Sequence, residues 1–259
     1  MSAETIVSIL WTGGYDSTFR MCQLSKKDIT IQPYYVSDNR QSEEYELKAI
    51  DVISKKLEQN PDTKATIKPI IYVAKADRKK NEEITKAFKR LLKKDYMGSQ
   101  YDWLGAFSAE HIGIEMSIHK DDKAIALIAK NGTLKKQSDF SGEYYVIDTE
   151  KSPQDLVTVF GNYHFPLVDY TKVLMKDEYT SMGLSDVIDD TWFCFSPIDG
   201  KPCGCCNPCR YTIEEGMPYR FSQEALARYK KSQTKTFKIK RDLMNLFKAV
   251  VNKIRNIVK

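Results

Sequence analysis

The chain of 259 residues has no apolar run long enough to span a bilayer, and this argues against an integral membrane protein. Its first apolar stretch, "TIVSILW" at residues 5–11, follows Glu4 and lacks a basic flank, so it does not read as a secretory leader. The expected compartment is therefore the cytoplasm. Histidine is scarce: His111, His119 and His164 are scattered without metal-ligand spacing, and surface or capping roles are expected. Of the three, His119 is the best candidate for more, because it follows an expected strand. Cysteine is almost absent outside one segment, with only Cys22 lying apart. A disulfide scaffold would spread its cysteines, so that class is excluded. There is no G-x-x-x-x-G-K-[ST] and no G-x-G-x-x-G, which removes the commonest phosphate-binding fingerprints. No internal repeat occurs, and no low-complexity block precedes the C-terminal segment.

What is present is a normal core composition, 42% hydrophobic and 29% charged, with an uneven charge distribution. Residues 228–259 hold eleven Lys and Arg against one acid, Asp242. The net charge of +5 thus combines an acidic body with a basic tail.

Strands are expected at 4–11, 31–37, 67–73 and 112–119, and helices at 16–26, 42–58, 81–96, 99–111, 153–160 and 170–183. The stretch 120–150 is weakly patterned and reads as a polar excursion or a small hairpin. Alternating strand and helix predicts an α/β fold, a parallel sheet flanked by helices. The expected division is an α/β domain at 1–190, a cysteine segment at 191–220 and a helical tail at 221–259.

The first strand ends in Thr12-Gly13-Gly14-Tyr15-Asp16-Ser17-Thr18 and passes directly into a helix. Two glycines leave backbone N–H groups open to an anion, and the helix start, expected at Asp16 or Ser17, adds its dipole. Ser17 and Thr18 supply hydroxyl donors. Asp16 would repel phosphate unless it caps the helix or meets Mg²⁺. The competing reading is an ordinary strand-to-helix turn with an Asp N-cap.

The run "CFSPIDGKPCGCCNPC" carries Cys194, Cys203, Cys206 and Cys209 as C-x8-C-x-x-C-x-x-C, with Cys205 as an extra thiol expected to point away. Four converging thiolates suit a closed, structural Zn²⁺ site, contributing on the order of 10 kcal/mol of apparent binding energy. An iron–sulfur cluster uses the same ligand set, so spacing does not fix the metal.

The loop resembles the Ser-Gly-Gly-x-Asp-Ser signature of the PP-loop ATP pyrophosphatases, with Thr12 replacing the first Ser. That resemblance implies a Rossmann-like sheet, ATP bound at Thr12, Gly13, Gly14, Tyr15, Asp16, Ser17 and Thr18, and cleavage between the α and β phosphates. With the cysteine pattern, the chain resembles the 7-cyano-7-deazaguanine synthases of queuosine biosynthesis over residues 12 to about 217. On that resemblance "VSDNRQSEEYEL" makes Arg40 and Glu46 candidates. "HFPLVDYTK" makes Lys172 a phosphate contact and, with Asp16 and Ser17, part of the catalytic set. The implied reaction adenylates a small heterocyclic acid, with ammonia as nucleophile, Mg²⁺ as cofactor and a homodimer as the expected assembly.

Two family runs, Asp-Gly-Arg-Asn and Asp-x-Ser-Gly-Tyr-Pro-Asp-Cys-Arg, are missing. In their places Gln100, Asp102, Trp103, Glu115 and His119 can line a differently shaped pocket; Tyr101 and Trp103 can stack on a flat ring, though aromatics in such a helix are usually core. A paralogue acting on another acceptor, in a surface-glycan or defence gene cluster, is one alternative. A PP-loop tRNA thiolase is disfavoured because Cys22 is expected to be buried, and a nucleotide-binding module without turnover is the third.

In the tail, Met244, Phe247, Val250, Val251, Ile254 and Val258 form an apolar stripe, with Lys248, Lys253 and Arg255 largely off it. Packing on the protein's own body or a dimer mate is favoured, because the stripe must be covered. Nucleic acid and an anionic membrane surface are the alternatives.

Overall fold

The computed structural model describes residues 5–234. The chain divides into two compact units, Met1–Trp192 and Phe193–Lys259. The amphipathic stripe from Met244 to Val258 lies outside the described residues.

The first unit is an α/β fold. Strand β1 (Ile6–Leu10) leads to helix α1 (Tyr15–Ser25), and β2 (Thr30–Val36) leads to α2 (Glu43–Gln59). Then come β3 (Thr66–Ile67), β4 (Ile71–Val73), α3 (Glu82–Lys94), α4 (Gln100–Ser108) and β5 (Ile114–Glu115). A further helix α5 (Lys123–Asn131) precedes the hairpin β6 (Leu134–Asp139) and β7 (Gly142–Ile147). The unit closes with α6 (Gln154–Phe160), β8 (Tyr163–His164), α7 (Lys172–Ser181) and α8 (Ser185–Asp190).

The main sheet runs β3-β2-β1-β5-β8, with β4 also on β2, and every pairing in it is parallel. Alternate residues of the strands feed two cores. Val7, Ile9, Ile31 and Tyr35 pack with α1, α2, α7 and α8. Leu10 and Tyr34 face the other way, with α3, α4, α5 and α6. Complete burial of a side chain such as Ile9 stabilises by about 1.5–3 kcal/mol.

Three expectations change. The strand expected at 67–73 is two short pieces, because Pro69 between them has no N–H to give the ladder. The strand expected at 112–119 shrinks to Ile114–Glu115. Gly113 enters it at φ +81°, and the chain turns out again where Ile118 N–H bonds Met116 O at 2.9 Å. The stretch 120–150 holds a hairpin, as one reading had it, but also the unexpected helix α5. Asp122 caps α5 by accepting from Ala124 N–H at 2.7 Å, and Ala124, Ile125, Leu127 and Ile128 form its buried face.

The second unit contains α9 (Asn207–Glu214) and α10 (Gln223–Ser232). No helix among the described residues is long and apolar enough to cross a membrane.

Candidate active site and metal centre

In an open parallel sheet, ligands bind beyond the strands' C-terminal ends, where the strand order reverses. Here that point is β1, which has β2 on one side and β5 on the other. The loop Trp11–Gly14 leaves β1 at this place. Gly13 takes φ +67°, and a Cβ there would lie 2.8 Å from Glu46 O, so glycine is required for the turn and for close approach of α2. Gly14 differs. Its φ is −80°, and an added Cβ would meet only Thr12 Oγ1 at 3.4 Å and Trp192 O at 3.7 Å. Nothing in the fold demands glycine at 14. A bare backbone there leaves room for a ligand beside the Thr12 hydroxyl.

Gly14, rather than an acid, is the N-cap of α1, so the helix starts one residue earlier than expected and Asp16 is no cap. Its carboxylate instead accepts a hydrogen bond from Lys172 Nζ, and the ammonium also lies 4.5 Å from the centre of the Tyr15 ring. Lys172 is the first residue of α7, whose cap Thr171 accepts from Leu174 N–H. Tyr179 anchors α7 on α1: its hydroxyl donates to Tyr15 O at 3.1 Å, and its ring meets Phe19 at 5.1 Å. The acid that would repel phosphate is thus offset by a cation from 156 residues away.

The hydroxyls divide. Ser17 Oγ makes only long contacts, to Gly14 O at 3.4 Å and from Thr12 N–H at 3.5 Å, and is weakly engaged. Thr18 is fully buried, and its Oγ1 accepts from the Trp11 indole N–H at 3.0 Å. Thr18 therefore corrects the expectation of a loop-facing donor: it holds Trp11 beneath the turn. Trp192, which the sequence did not single out, closes the loop by donating its N–H to Gly13 O at 2.8 Å. Its ring stacks on Tyr45 at 4.7 Å.

Arg40 and Glu46 do come together. Glu46 is buried and accepts from Tyr35 OH at 2.7 Å, Ser42 OH at 2.7 Å and Arg40 Nη2 at 3.0 Å. Burial opposes the Arg40 charge, but the Glu46 carboxylate, with Tyr35 and Asp38, outweighs it and holds the guanidinium above its ordinary range.

Other candidates have structural employment. Glu115 is not a pocket residue: it is buried and takes two hydrogen bonds from Arg20, at 2.7 and 2.6 Å, while Arg20 also reaches Ser141 O. Tyr101 is core, against Phe160. Asp102 accepts from Thr85 OH, and Gln100 is exposed. His119 is buried and accepts from Asp121 N–H at 3.2 Å, a turn-capping role. His164 stacks on Tyr144 at 4.0 Å, and burial lowers its affinity for a proton. Cys22 is fully buried, and burial raises its thiol far above the ordinary range.

No family model and no curated protein matches the sequence. Among solved structures, the chain is similar to NMN synthetase from Francisella tularensis. The identity is 14%, over 90% of this chain and 86% of that one, with a TM-score of 0.38. At that distance no residue role passes from one protein to the other.

In the second unit, the Sγ atoms of Cys194, Cys203, Cys206 and Cys209 all lie within 4.8 Å of one another. Cys203 and Cys209 are 3.8 Å apart, and Cys206 and Cys194 are 4.0 Å apart. Tetrahedral Zn–S bonds of ~2.3 Å place sulfurs about 3.8 Å apart, so the foursome fits such an ion. Backbone donors already point at sulfur: Cys203 N–H to Cys194 Sγ, and Cys205 and Cys206 N–H to Cys203 Sγ, at 3.2, 3.4 and 3.3 Å. Its neighbours Cys194 and Cys209 draw the Cys206 thiol well below its usual range.

The local chain is shaped for this. Asp199 and Gly200, both at positive φ, turn a tight hairpin between Ile198 and Lys201. Gly204 sits at φ +78° with Ala225 O only 2.1 Å from where a Cβ would stand. Cys205 is exposed and outside the foursome, although its Sγ lies 3.7 Å from that of Cys203 rather than pointing clear of it.

Proposed function

We propose that the chain is an ATP-dependent adenylating enzyme of PP-loop type, acting on a small heterocyclic acid with ammonia as nucleophile. The observation that carries this reading is the turn after β1. It lies at the sheet's switch point, with an open Gly14, a weakly held Ser17 hydroxyl and Lys172 drawn onto Asp16.

The chemistry follows from that arrangement. The N-terminal N–H groups of α1 at Asp16 and Ser17 have no acceptor within the helix and suit phosphate oxygens. Lys172 offsets charge on a departing pyrophosphate. Asp16 can share a magnesium ion with the phosphates, since Mg²⁺ needs only one or two protein carboxylates. The acid's carboxylate oxygen attacks the α-phosphorus as the bond to pyrophosphate breaks. Ammonia then displaces AMP at the acyl carbon, leaving an amide. The resemblance to 7-cyano-7-deazaguanine synthases extends this to a second activation with loss of water, giving a nitrile. Catalysis here is positioning and charge stabilisation. The cysteine foursome is read as a Zn²⁺ site with a structural role, because sulfur fills all four positions. A sulfur-transfer role finds no support at Cys22, which is buried and held as the neutral thiol.

The deciding assay is pyrophosphate release from ATP with Mg²⁺ and ammonium, with and without 7-carboxy-7-deazaguanine. Acid-dependent release is expected. ATP uptake without turnover on this or other planar acids would leave only a nucleotide-binding module.

A further inference from the structure

On the sheet face opposite α1 and α2 lies a cavity of about 300 Å³ that the loop chemistry does not use. It sits beside β2 and β4 and is lined by Tyr34, Arg78, Trp103, Phe107, Glu110 and His111 among others. Its volume is at the small end of the ~300–1,000 Å³ spanned by ligand pockets, the size for a ring system rather than a whole nucleotide. It lies near the loop: Tyr34 is opposite Leu10 in register, and its carbonyl accepts Trp11 N–H at 2.9 Å, one residue before Thr12.

The walls are flat and already oriented. His111 stacks on Phe107 with ring centres 4.0 Å apart, and Tyr34 meets both edge-on at 4.9 and 5.6 Å. The Arg78 guanidinium lies over Trp103 at 4.4 Å. Its Nε reaches Lys75 O at 3.4 Å, whereas its Nη1 is shut off from water and has no acceptor. Burial lowers the proton affinity of Arg78, and Asp38 only partly offsets this. Arg78 lines the cavity, and a ligand that accepts from its guanidinium gains a charge-assisted hydrogen bond. His111 Nδ1 lies 3.0 Å from Phe107 O; a carbonyl only accepts, so that nitrogen carries the proton and Nε2 is left as an acceptor in the neutral ring. The cavity therefore combines aromatic faces with the Arg78 guanidinium and with Asp77 and the Lys79–Glu110 ion pair.

We infer that this cavity binds the planar heteroaromatic ring of the acid substrate, stacked on its aromatic wall, with a ring carbonyl or nitrogen accepting from the Arg78 guanidinium. The assignment rests on the adenylating reading for the word substrate, but binding of the ring does not depend on turnover. It explains how a chain lacking the two family runs can still hold a flat acceptor.

The test is calorimetric titration of the full chain with 7-carboxy-7-deazaguanine and, separately, with ATP and Mg²⁺. The proteins are the wild type, Arg78→Gln, Trp103→Leu and the milder Trp103→Phe, each with its melting temperature recorded. Loss of a charged hydrogen bond should weaken the acid by roughly 10- to 100-fold in Arg78→Gln. Trp103→Leu should weaken it similarly and Trp103→Phe less, with ATP affinity unchanged in all three. Equal acid affinity in wild type and Arg78→Gln overturns the proposal, as does absence of acid binding at millimolar concentration. If ATP affinity falls instead, the cavity holds the adenine ring and the proposal also fails. Should the wild type bind the acid here yet take up no ATP, the pocket stands and the adenylating reading falls.

Discussion

Lys172, at the start of α7, donates a hydrogen bond to Asp16 in the first turn of α1 and lies over the ring of Tyr15. Both side chains are part-exposed, at 22% and 29%. An ion pair of that exposure contributes about 0–1 kcal/mol to folding, so stability is a weak reason for it. Charge control at the proposed phosphate site is a stronger one. Lys172→Met is therefore expected to leave the melting temperature nearly unchanged while lowering pyrophosphate release by about 100-fold or more. A melting temperature that collapses with unchanged turnover per folded molecule would make the pair structural.

The two loop glycines should separate in their effects. Gly13→Ala meets both a positive φ and Glu46 O, and a loss of ~1–3 kcal/mol is expected in urea unfolding. Gly14→Ala should fold normally and bind ATP more weakly, since its methyl group enters the space beside Thr12. The same stability loss in both variants would mean that Gly14 serves the turn and not a ligand.

Arg20 and Glu115 form the most buried ion pair described, at 5% and 1% exposure. Removing one partner strands a charge, and Glu115→Ala is expected to cost about 3–5 kcal/mol. The double change Arg20→Met with Glu115→Leu should be milder than Glu115→Ala alone. Denaturant unfolding of the three proteins checks the order, and a double variant worse than the single contradicts it.

Metal analysis of the purified protein should find about one zinc per chain and no labile sulfide. Cys203→Ser or Cys209→Ser should lose the metal and loosen residues 193–234, read as faster amide exchange there. Because thiolates bind metal and thiols do not, acidification should release zinc and a return to neutral pH should restore it. Iron with labile sulfide would replace the zinc assignment.

Some of this was visible in the residues and some was not. The turn at Gly13-Gly14 was legible because glycine pairs between a strand and a helix are a local signal. The cysteine foursome was legible because its members lie within one short segment. Helix α5 went unread although Asp122 and the spacing of Ala124, Ile125, Leu127 and Ile128 announce it, because polar residues on both sides dilute a short amphipathic pattern. Glu115 was misassigned for a different reason. It was named because it stands where a family run is missing, and position alone does not reveal a partner 95 residues earlier.

Amino-acid order alone specified the alternating α/β plan, the bare turn and the cysteine set, since each depends on neighbours a few residues apart. Only folding decided that Asp16 pairs with Lys172 rather than capping α1, that Thr18 supports Trp11, and that Arg78 meets Trp103. Sheet register and helix packing bring those groups together across up to 156 residues, and no local pattern encodes the distance between side chains on different elements.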